Sequence, residues 1–219
     1  MADRRSYDQY CGLAKALDIV GERWTLLIVR NLLLGPLRYS DLLRGLPGIT
    51  TNLLAKRLRE MEAFGMIERI RGASSDAGQA YRLTPLGAGL EPAVHALANW
   101  AWQWMQAPAK HEMRNLEWLL VALRRRYLGG ATLRAELVAD GVPYRMSLTK
   151  TKAEITRGEL PSPDLTIRGT GAAIASLFLE RKPGGKLPPG LTIDGGSQLL
   201  KSLLAAFATS EIEHALAAS

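Results

Sequence analysis

The sequence is poor in the residues that build metal sites and disulfides. Of its 219 residues, one is a cysteine, Cys11, and three are histidines, His95, His111 and His214. A single thiol excludes a disulfide framework and a cysteine-based zinc site, and it suits a reducing compartment. The scattered histidines lack the spacing of a metal site or of a nucleophile with its base. We therefore expect no metal, no cofactor and no enzymatic activity.

Long apolar runs are also missing. No stretch approaches 18 uninterrupted apolar residues, and the first 18 residues lack the apolar centre of a signal peptide. We expect a cytoplasmic protein that does not insert into membranes. Hydrophobic residues make up 47% of the chain and charged residues 22%, which indicates a folded globular protein. A length of 219 residues suits two domains of roughly 100 residues each.

Acidic residues are outnumbered by basic ones. The chain has 28 Lys and Arg against 21 Asp and Glu, a formal net charge of +7. Such an excess favours a polyanionic partner, either nucleic acid or an anionic membrane surface. Residues 1–113 carry 14 basic and 11 acidic side chains, and residues 114–219 carry 14 and 10, so the two parts hold +3 and +4. The total charge therefore does not identify which part would bind a polyanion.

Glycine and proline divide the first half into short helical segments and a two-stranded ribbon. Helices are predicted over residues 11–20, over residues 24–34, from a cap at Ser40 to about residue 43, and from a cap at Thr50 or Thr51 to about Phe64. Alternating segments at residues 66–71 and 80–83 predict strands, and Thr84-Pro85 begins a further helix. This order is typical of a winged helix-turn-helix domain, so we predict a mainly α N-terminal domain over residues 1–108.

The helix that begins near Thr50 is the candidate recognition helix. Leu54 and Leu58 share its apolar side. The opposite side presents Asn52, Lys56 and Arg59, two cations and an amide that suit the major groove. The alternative is that these charges only solvate an exposed helix. Further candidates for contacts with DNA are Arg38, Ser40, Thr50 and Thr51 beside the helices, and Arg69 and Arg71 on the ribbon.

The second half has a different pattern. Strands are predicted over residues 132–139, over 143–156 after a turn at Asp140-Gly141, and over 164–168 and 191–194, and helices over 113–127, 172–180 and 198–215. We predict an α+β domain over residues 114–219, with helices packed on an antiparallel sheet.

The first half carries several spaced motifs of a known family. G-x-x-W-T-L-L-I, G-P-x-R-[FY]-S-[DE]-L and L-P-G-I-[ST] follow one another within about residues 8–105, which resemble the HxlR family of bacterial winged-helix transcriptional regulators. The resemblance implies a homodimeric, sequence-specific regulator that binds double-stranded DNA at a palindromic operator. The wing departs from the family, because GASSDAGQAYRLTPLG stands where members usually carry a proline-containing V-E-Y-x-L-T strand. Its loop is a poorer phosphate binder than a basic tip.

Two helices are expected to hold the dimer together. Leu97, Trp100 and Trp104 recur at helical spacing, and the resemblance implies dimerisation through this helix. Leu13 and Leu17 on the first helix are the other candidates for the dimer interface. The alternative for the tryptophan-rich segment is a single well-packed core helix.

Cys11 allows two interpretations. Some HxlR-family members use a cysteine at this position as an oxidant sensor, and a helix N-terminus with Lys15 one turn further on would lower the thiol pKa. The alternative is a small residue packed near the dimer interface, since the sequence offers no second cysteine to resolve an oxidised thiol.

Residues 117–207 resemble the sterol carrier protein type 2 family. The likeness rests on PDLTIRGTGAAIASLFL and LTIDGGSQLLKSLLAAF. It implies helices on a sheet around an apolar tunnel, so the expected effector is an apolar or acyl-type small molecule. The expected lining residues are Leu165, Ile167, Ile174, Leu177, Phe178, Leu199, Leu203, Leu204 and Phe207. The alternative is that they fill a solid core, because pockets and cores share a composition.

The second half does not fit a dinucleotide-binding fingerprint. G-T-G-A-A-I follows a predicted strand, but Ile174 stands where the fingerprint needs a small residue. We therefore predict a homodimeric, DNA-binding transcription regulator with an effector-binding second domain. The alternative class is a lipid-binding carrier whose winged domain mediates only protein contacts, and the salt dependence of DNA binding separates the two.

Overall fold

The computed structural model describes residues 6–71, 79–105, 115–179 and 186–207. The chain divides into two compact units, Met1–Ala96 and Leu97–Ser219. The division falls inside a helix, whereas the predicted domain boundary between residues 108 and 114 lies outside the described residues. In the described ranges, no helix has the length and apolar character needed to cross a membrane.

The first unit is a helical domain with a small antiparallel sheet. Its helices are α1 (Gly12–Val20), α2 (Thr25–Leu32), α3 (Tyr39–Arg44), α4 (Thr51–Ala63), α5 (Pro85–Ala88) and the beginning of α6 (Glu91–Trp102). Its strands are β1 (Leu37–Arg38), β2 (Ile67–Arg71) and β3 (Gln79–Leu83), in the order β1-β3-β2. This is the winged helix-turn-helix arrangement that the sequence predicts, with α3 and α4 as the helix pair and β2 and β3 as the wing.

A single apolar cluster holds α2, α3 and α4 together. Its fully buried members include Ile28 of α2, Leu42 of α3, and Leu54 and Leu58 of α4. The prediction of α4 is confirmed, because it begins directly after Thr50, whose hydroxyl accepts the Leu53 N–H at 3.3 Å. An N-cap of this kind satisfies one of the amide groups that a helix leaves unpaired at its start.

The predicted cap of α3 is wrong by two residues. Arg38 is the N-cap residue, and Ser40 lies in the first turn of the helix. The reason is Asp41, whose carboxylate accepts the Arg38 backbone N–H at 3.3 Å and so supports an earlier start. Strand β1 was not predicted, since two residues are too few for an alternating pattern.

The second unit is a five-stranded sheet with helices. It contains the end of α6, then α7 (Leu116–Arg125), β4 (Leu133–Ala139), β5 (Val142–Leu148), β6 (Ala153–Arg157), β7 (Leu165–Gly169), α8 (Gly171–Leu179), β8 (Thr192–Asp194) and α9 (Ser197–Ala205). The strand order is β6-β5-β4-β7-β8. The part of the predicted C-terminal helix after residue 207 lies outside the described residues.

The predicted antiparallel sheet is wrong for one pair of strands. β4 and β7 run parallel, and the other neighbours are antiparallel, so the sheet is mixed. The cause is the connection 158–164, which leads from β6 past β5 and β4 to β7 on the far side of β4. Glu136 on β4 accepts the Leu160 N–H at 3.0 Å, and the Arg134 guanidinium donates to the Pro161 carbonyl at 2.8 Å.

Candidate nucleic-acid interface

Helix α4 has one side in the core and one side in solvent. Leu54, Leu58 and Met61 are buried in the apolar cluster of the first unit. Asn52, Lys56 and Arg59 are all exposed, as are Thr50 and Thr51 at the N-terminus of the helix. The structure therefore brings the three predicted groove residues together on one open side of a firmly seated helix.

The cations near this side differ in their ion pairs. The Lys56 ammonium lies 3.9 Å from a Glu60 carboxylate oxygen, a loose pair between exposed groups. Arg59 forms no ion pair within the described part of the chain. Arg59 is thus the cation on α4 whose guanidinium is available without breaking an internal contact.

The two wing arginines differ as well. A guanidinium nitrogen of Arg69 lies 3.1 Å from a Glu62 carboxylate oxygen, and the guanidinium carbon lies 5.7 Å from the centre of the Tyr81 ring. Arg71 is exposed and is the last residue of β2. A DNA phosphate would have to compete with Glu62 for Arg69, a cost that the sequence did not indicate.

The first helix of the pair contributes exposed polar groups beside α4. Arg38 and Ser40 are both exposed, at the end of β1 and in the first turn of α3. The Tyr39 hydroxyl donates to the Thr51 carbonyl at 2.6 Å, which ties the start of α3 to the start of α4. The sequence analysis did not identify this role for Tyr39, although an aromatic residue with a hydroxyl at the start of a helix could have suggested it.

Two further residues that hold the helix pair were missed. Asn31 is buried in α2, and its amide nitrogen donates to the Gly45 carbonyl at 3.1 Å, directly after α3. Arg57 is buried in α4 and pairs with Glu22 and Glu60. Asn31 could have been recognised as a polar residue inside an apolar segment. Arg57 stands among other charged residues, so the sequence does not distinguish it from an exposed charge.

The comparisons with known proteins agree with this geometry. The HxlR-like helix-turn-helix family pattern matches residues 19–109. An uncharacterized HTH-type transcriptional regulator of Mycobacterium tuberculosis (strain CDC 1551 / Oshkosh) is 38% identical over 96 residues, which are 44% of this chain and 60% of that protein. The uncharacterized HTH-type transcriptional regulator YvaP of Bacillus subtilis (strain 168) is 35% identical over 91 residues, 42% of this chain and 84% of YvaP.

The chain belongs to the HxlR-like helix-turn-helix family. Among solved structures, the reduced form of the transcriptional regulator YodB from B. subtilis is 28% identical, with a TM-score of 0.40, and the match covers 46% of this chain and all of that one. The HxlR-like match ends at residue 109, so it does not cover the five-stranded sheet of the second unit.

The residues expected at the HxlR-like dimer interface are exposed. Leu13 on α1 is 68% exposed and Leu17 is also exposed. Leu97, Trp100 and Trp104 are exposed too, with the rings of Trp100 and Trp104 6.1 Å apart. These three side chains are not packed in a core, as the alternative interpretation expected, because each leaves a large apolar area in solvent.

Cys11 is exposed at the N-cap position of α1. The pKa of its thiol is lowered by the backbone N–H groups of Ala14 and then Leu13, which stabilise the thiolate. Lys15, which was expected to assist, instead has its ammonium 3.8 Å from the Asp18 carboxylate. The free end of the helix is therefore the main cause of the lowered pKa. Whether Cys11 senses oxidants stays a prediction.

The expected ligand residues of the second unit lie mostly in its core. Leu165, Ile167, Ile174, Leu177, Phe178, Leu203, Leu204 and Phe207 are buried, and Leu199 is half-buried. A recess of about 370 Å³ lies between the segment 129–133 and α9. Leu199, Leu133 and Ser202 are among its lining residues, so Leu199 is the expected residue that faces it.

Within the residues that the structure describes, no group of three or more His, Cys, Asp and Glu side chains is arranged to hold a metal ion. The structure does bring β2 of the wing beside α4, since Arg69 pairs with Glu62. The exposed apolar side chains of α1 and of the segment 97–104 belong to different units.

Proposed function

We propose that this chain is a sequence-specific DNA-binding transcription regulator whose helix α4 enters the major groove. The observation that carries the proposal is the side of α4 that presents Asn52, Lys56 and Arg59 to solvent while Leu54 and Leu58 anchor the helix in the core. The major groove admits an α-helix, and each base pair there presents its own pattern of donors and acceptors.

The three exposed side chains take different roles. Arg59 donates two hydrogen bonds to the O6 and N7 atoms of a guanine, since its guanidinium is not engaged within the described residues. Asn52 is suited to the N6 and N7 atoms of an adenine. Lys56 is a point charge and suits a phosphate. To bind a phosphate, its ammonium gives up the loose ion pair with Glu60.

Phosphate contacts fix the position of the domain on the duplex. Thr50 and Thr51 lie at the N-terminus of α4, where unpaired N–H groups and the helix dipole favour a phosphate. The remaining phosphate contacts are assigned to Arg38 and Ser40 beside α3 and to Arg69 and Arg71 on the wing.

Selection from random DNA tests the proposal. The purified full chain is used to select duplexes from a random library, and its affinity for the selected duplex and for a random duplex of the same length is measured over a range of salt concentrations. We expect a steep fall with salt for both duplexes and a preference for the selected duplex of about 10³ or more. If binding falls only weakly with salt and shows no excess over random DNA, the regulator proposal is wrong and the lipid-carrier alternative gains.

The proposed regulator is a homodimer. Leu13 and Leu17 on α1, Leu97 and Trp100 on α6, and Trp104 in the turn after α6 expose apolar area that a second copy of the chain would cover. A two-fold dimer places two α4 helices in successive major grooves about 34–36 Å apart, so the selected sites should be palindromic.

The proposed effector of the second unit is an apolar or acyl-type molecule. The recess between the segment 129–133 and α9 has a volume within the range of small-molecule sites, about 370 Å³. Gly129 and Gly130 on one side and Ala205 and Ala206 on the other are small, which leaves space for an alkyl chain against Leu199.

Native mass spectrometry tests for the effector. The chain is purified with and without lipid extraction, and we expect an additional mass that extraction removes. Ser202→Trp, which fills the recess, should abolish the adduct, whereas Lys201→Trp on the exposed side of α9 should keep it. A chain that carries no adduct in either preparation, or an adduct that Ser202→Trp leaves in place, would remove the effector from the proposal without affecting DNA binding.

A further inference from the structure

Arg57 is a buried charge inside the candidate recognition helix. The residue is only 7% exposed, although its neighbours Lys56 and Arg59 are exposed. Its Nε atom is buried and has no hydrogen-bond partner among the described residues. A buried charge is costly unless it is paired, so the two terminal nitrogens must make the hydrogen bonds that offset the burial of this guanidinium.

Two carboxylates from different parts of the first unit hold this guanidinium. One terminal nitrogen donates to Glu22 at 2.6 Å, and Glu22 lies in the turn between α1 and α2. The other terminal nitrogen donates to Glu60, one turn further along α4. Arg57 therefore links α4 to a point 35 residues earlier in the chain.

The Glu60 carboxylate also extends toward the groove side of α4. Glu60 lies between Arg57 and Lys56 around the helix, and its second oxygen is 3.9 Å from the Lys56 ammonium. Glu22, Arg57, Glu60 and Lys56 thus form a row of alternating charges from the α1–α2 turn to the side that we assign to DNA.

This row of charges restrains the rotation of α4 about its own axis more closely than the apolar core does. Leu54, Leu58 and Met61 determine which side of α4 faces the core, but apolar contacts are not directional, so small rotations about the helix axis change them little. Charge-assisted hydrogen bonds from the two ends of a planar guanidinium are directional.

We propose that Arg57, held between Glu22 and Glu60, is the positioning residue that sets the rotation of α4 and so aims Asn52 and Arg59 at the base edges. The inference rests on the proposed DNA-binding function. It assigns specificity to residues that touch no DNA, because a small rotation of α4 displaces every groove residue at once while leaving phosphate contacts largely intact.

For Glu22→Gln, the positioning role of Arg57 and simple electrostatics predict opposite changes in the affinity for the selected duplex. Glu22 is exposed, and its loss makes the domain more basic by one charge, which by itself tightens binding to any DNA. If Arg57 positions α4, Glu22→Gln should instead weaken binding to the duplex selected by the wild-type chain. We expect the ratio of selected to random affinity to fall about tenfold, comparable to the loss of one base contact.

Glu68→Gln is the matched control. Glu68 is also an exposed acid of the first unit that pairs with an arginine, Arg82, at 2.7 Å, but both residues lie on the wing strands. Its ratio of selected to random affinity should stay at the wild-type value. Arg57→Lys keeps the charge but replaces the planar guanidinium with a single ammonium on a flexible stem, and it should lower the ratio in the same direction as Glu22→Gln.

Each outcome decides between the proposals. If Glu22→Gln keeps or raises the ratio while the protein stays folded by circular dichroism, the positioning role of Arg57 is wrong and DNA binding stands. If the wild-type chain selects no sequence at all, the proposed function is wrong and this inference is lost with it. A fall in the ratio for Glu68→Gln as large as that for Glu22→Gln would also contradict the inference, because the effect would then not depend on the contact with Arg57.

Discussion

The cations near the groove side of α4 are held to different degrees by the protein itself. Arg69 has Glu62 as a partner, Lys56 has the more distant Glu60, and Arg59 forms no ion pair among the described residues. A side chain that already has a carboxylate partner gains less from a phosphate, because the first pair must break. Single substitutions at these positions should therefore have unequal effects on DNA binding.

Arg59→Ala should lose base recognition. We expect the affinity for the selected duplex to fall by about 1–3 kcal/mol, with relaxed preference at one base position, because a bidentate contact to guanine is lost. Fluorescence anisotropy with a panel of single-base variants of the duplex measures both effects. Lys56→Ala is the control and should weaken all duplexes about equally. A uniform loss for Arg59→Ala would reduce Arg59 to a phosphate contact.

Cys11 should react as a more acidic thiol than an ordinary cysteine. Its pKa is lowered by the backbone N–H groups of Ala14 and Leu13, so the thiolate forms at a lower pH than in an unfolded chain. The rate of alkylation by iodoacetamide should rise with pH and level off earlier for the folded protein than for the protein in denaturant. Coincident pH profiles would show that the end of α1 does not activate this thiol.

At the scale of elements, close approach between backbones fixes how the wing packs on α5. Gly87 is buried, and a Cβ atom at this position would lie 2.0 Å from the Met66 carbonyl oxygen, at the start of the wing. Thr84 strengthens the same junction, because its hydroxyl donates to the Gly65 carbonyl and accepts the Gly87 N–H at 3.2 Å. The junction between β3 and α5 therefore has no space for a side chain.

Gly87→Ala should destabilise the first unit by roughly 1–3 kcal/mol, the usual cost of overpacking. Urea denaturation followed by circular dichroism measures the free energy of unfolding. Gly12→Ala is the matched control, because no atom lies within 4 Å of a Cβ built there and alanine favours the helix. If the two variants unfold at the same urea concentration, the close contact with Met66 is not limiting.

In the second unit, a buried tyrosine connects α7 to the sheet. The Tyr144 hydroxyl donates to Glu117 at 2.9 Å, and Arg157 donates two hydrogen bonds of 2.6 Å to the same carboxylate. Burial raises the pKa of Tyr144 strongly, and the negative charge of Glu117 and the hydrogen bond to it act in the same direction. The folded unit therefore keeps this proton at a pH where an unfolded tyrosine, with a pKa of about 10, has lost it.

The stabilisation from Tyr144 should disappear in alkali. A raised pKa contributes stability that is complete below about pH 10 and is lost as the pH rises above it, by about 1.4 kcal/mol per pH unit. The difference in unfolding free energy between the wild type and Tyr144→Phe should accordingly shrink above pH 10. A difference that is constant between neutral and alkaline pH would contradict the assignment, since phenylalanine has no proton to lose.

The sequence predicts local elements better than the contacts between them. Glycine stops and the cap at Thr50 predict α4 closely, and its periodicity predicts which side is exposed. The parallel pairing of β4 with β7 is invisible to such patterns, because the direction of a strand depends on where its connection crosses the sheet. Arg57 was missed for a similar reason: its burial depends on Glu22, which no helical period connects to it.

At the scale of the whole molecule, self-association is the property on which palindromic recognition depends. Trp100 and Trp104 are 63% and 66% exposed, which is unusual for the largest apolar side chain. Apolar aromatic residues of this size often carry much of the binding energy of an interface. The oligomeric state should therefore respond to a single change on α6.

Trp100→Ser should shift the protein from dimer to monomer. We expect self-association to weaken by about 2 kcal/mol or more, measured by analytical ultracentrifugation. Leu128→Ser removes an equally exposed apolar side chain, 68% exposed, that is not among the residues expected at the dimer interface, and should leave the dimer intact. A wild-type chain that sediments as a monomer, or a Trp100→Ser variant that stays dimeric, would remove this helix from the interface.

The connection 158–164 also limits where the second unit tolerates added sequence. Between β6 and β7, Leu160 is buried and its N–H is bound by Glu136, while Arg134 holds the Pro161 carbonyl. An epitope tag or a reporter domain inserted there would pull both contacts away from β4. The turn between β5 and β6 is exposed, but its Lys150 carbonyl accepts the Gly130 N–H at 3.0 Å and its Thr149 carbonyl accepts the Tyr127 hydroxyl at 2.6 Å. An insertion in that turn would therefore disturb the segment 127–130 as well.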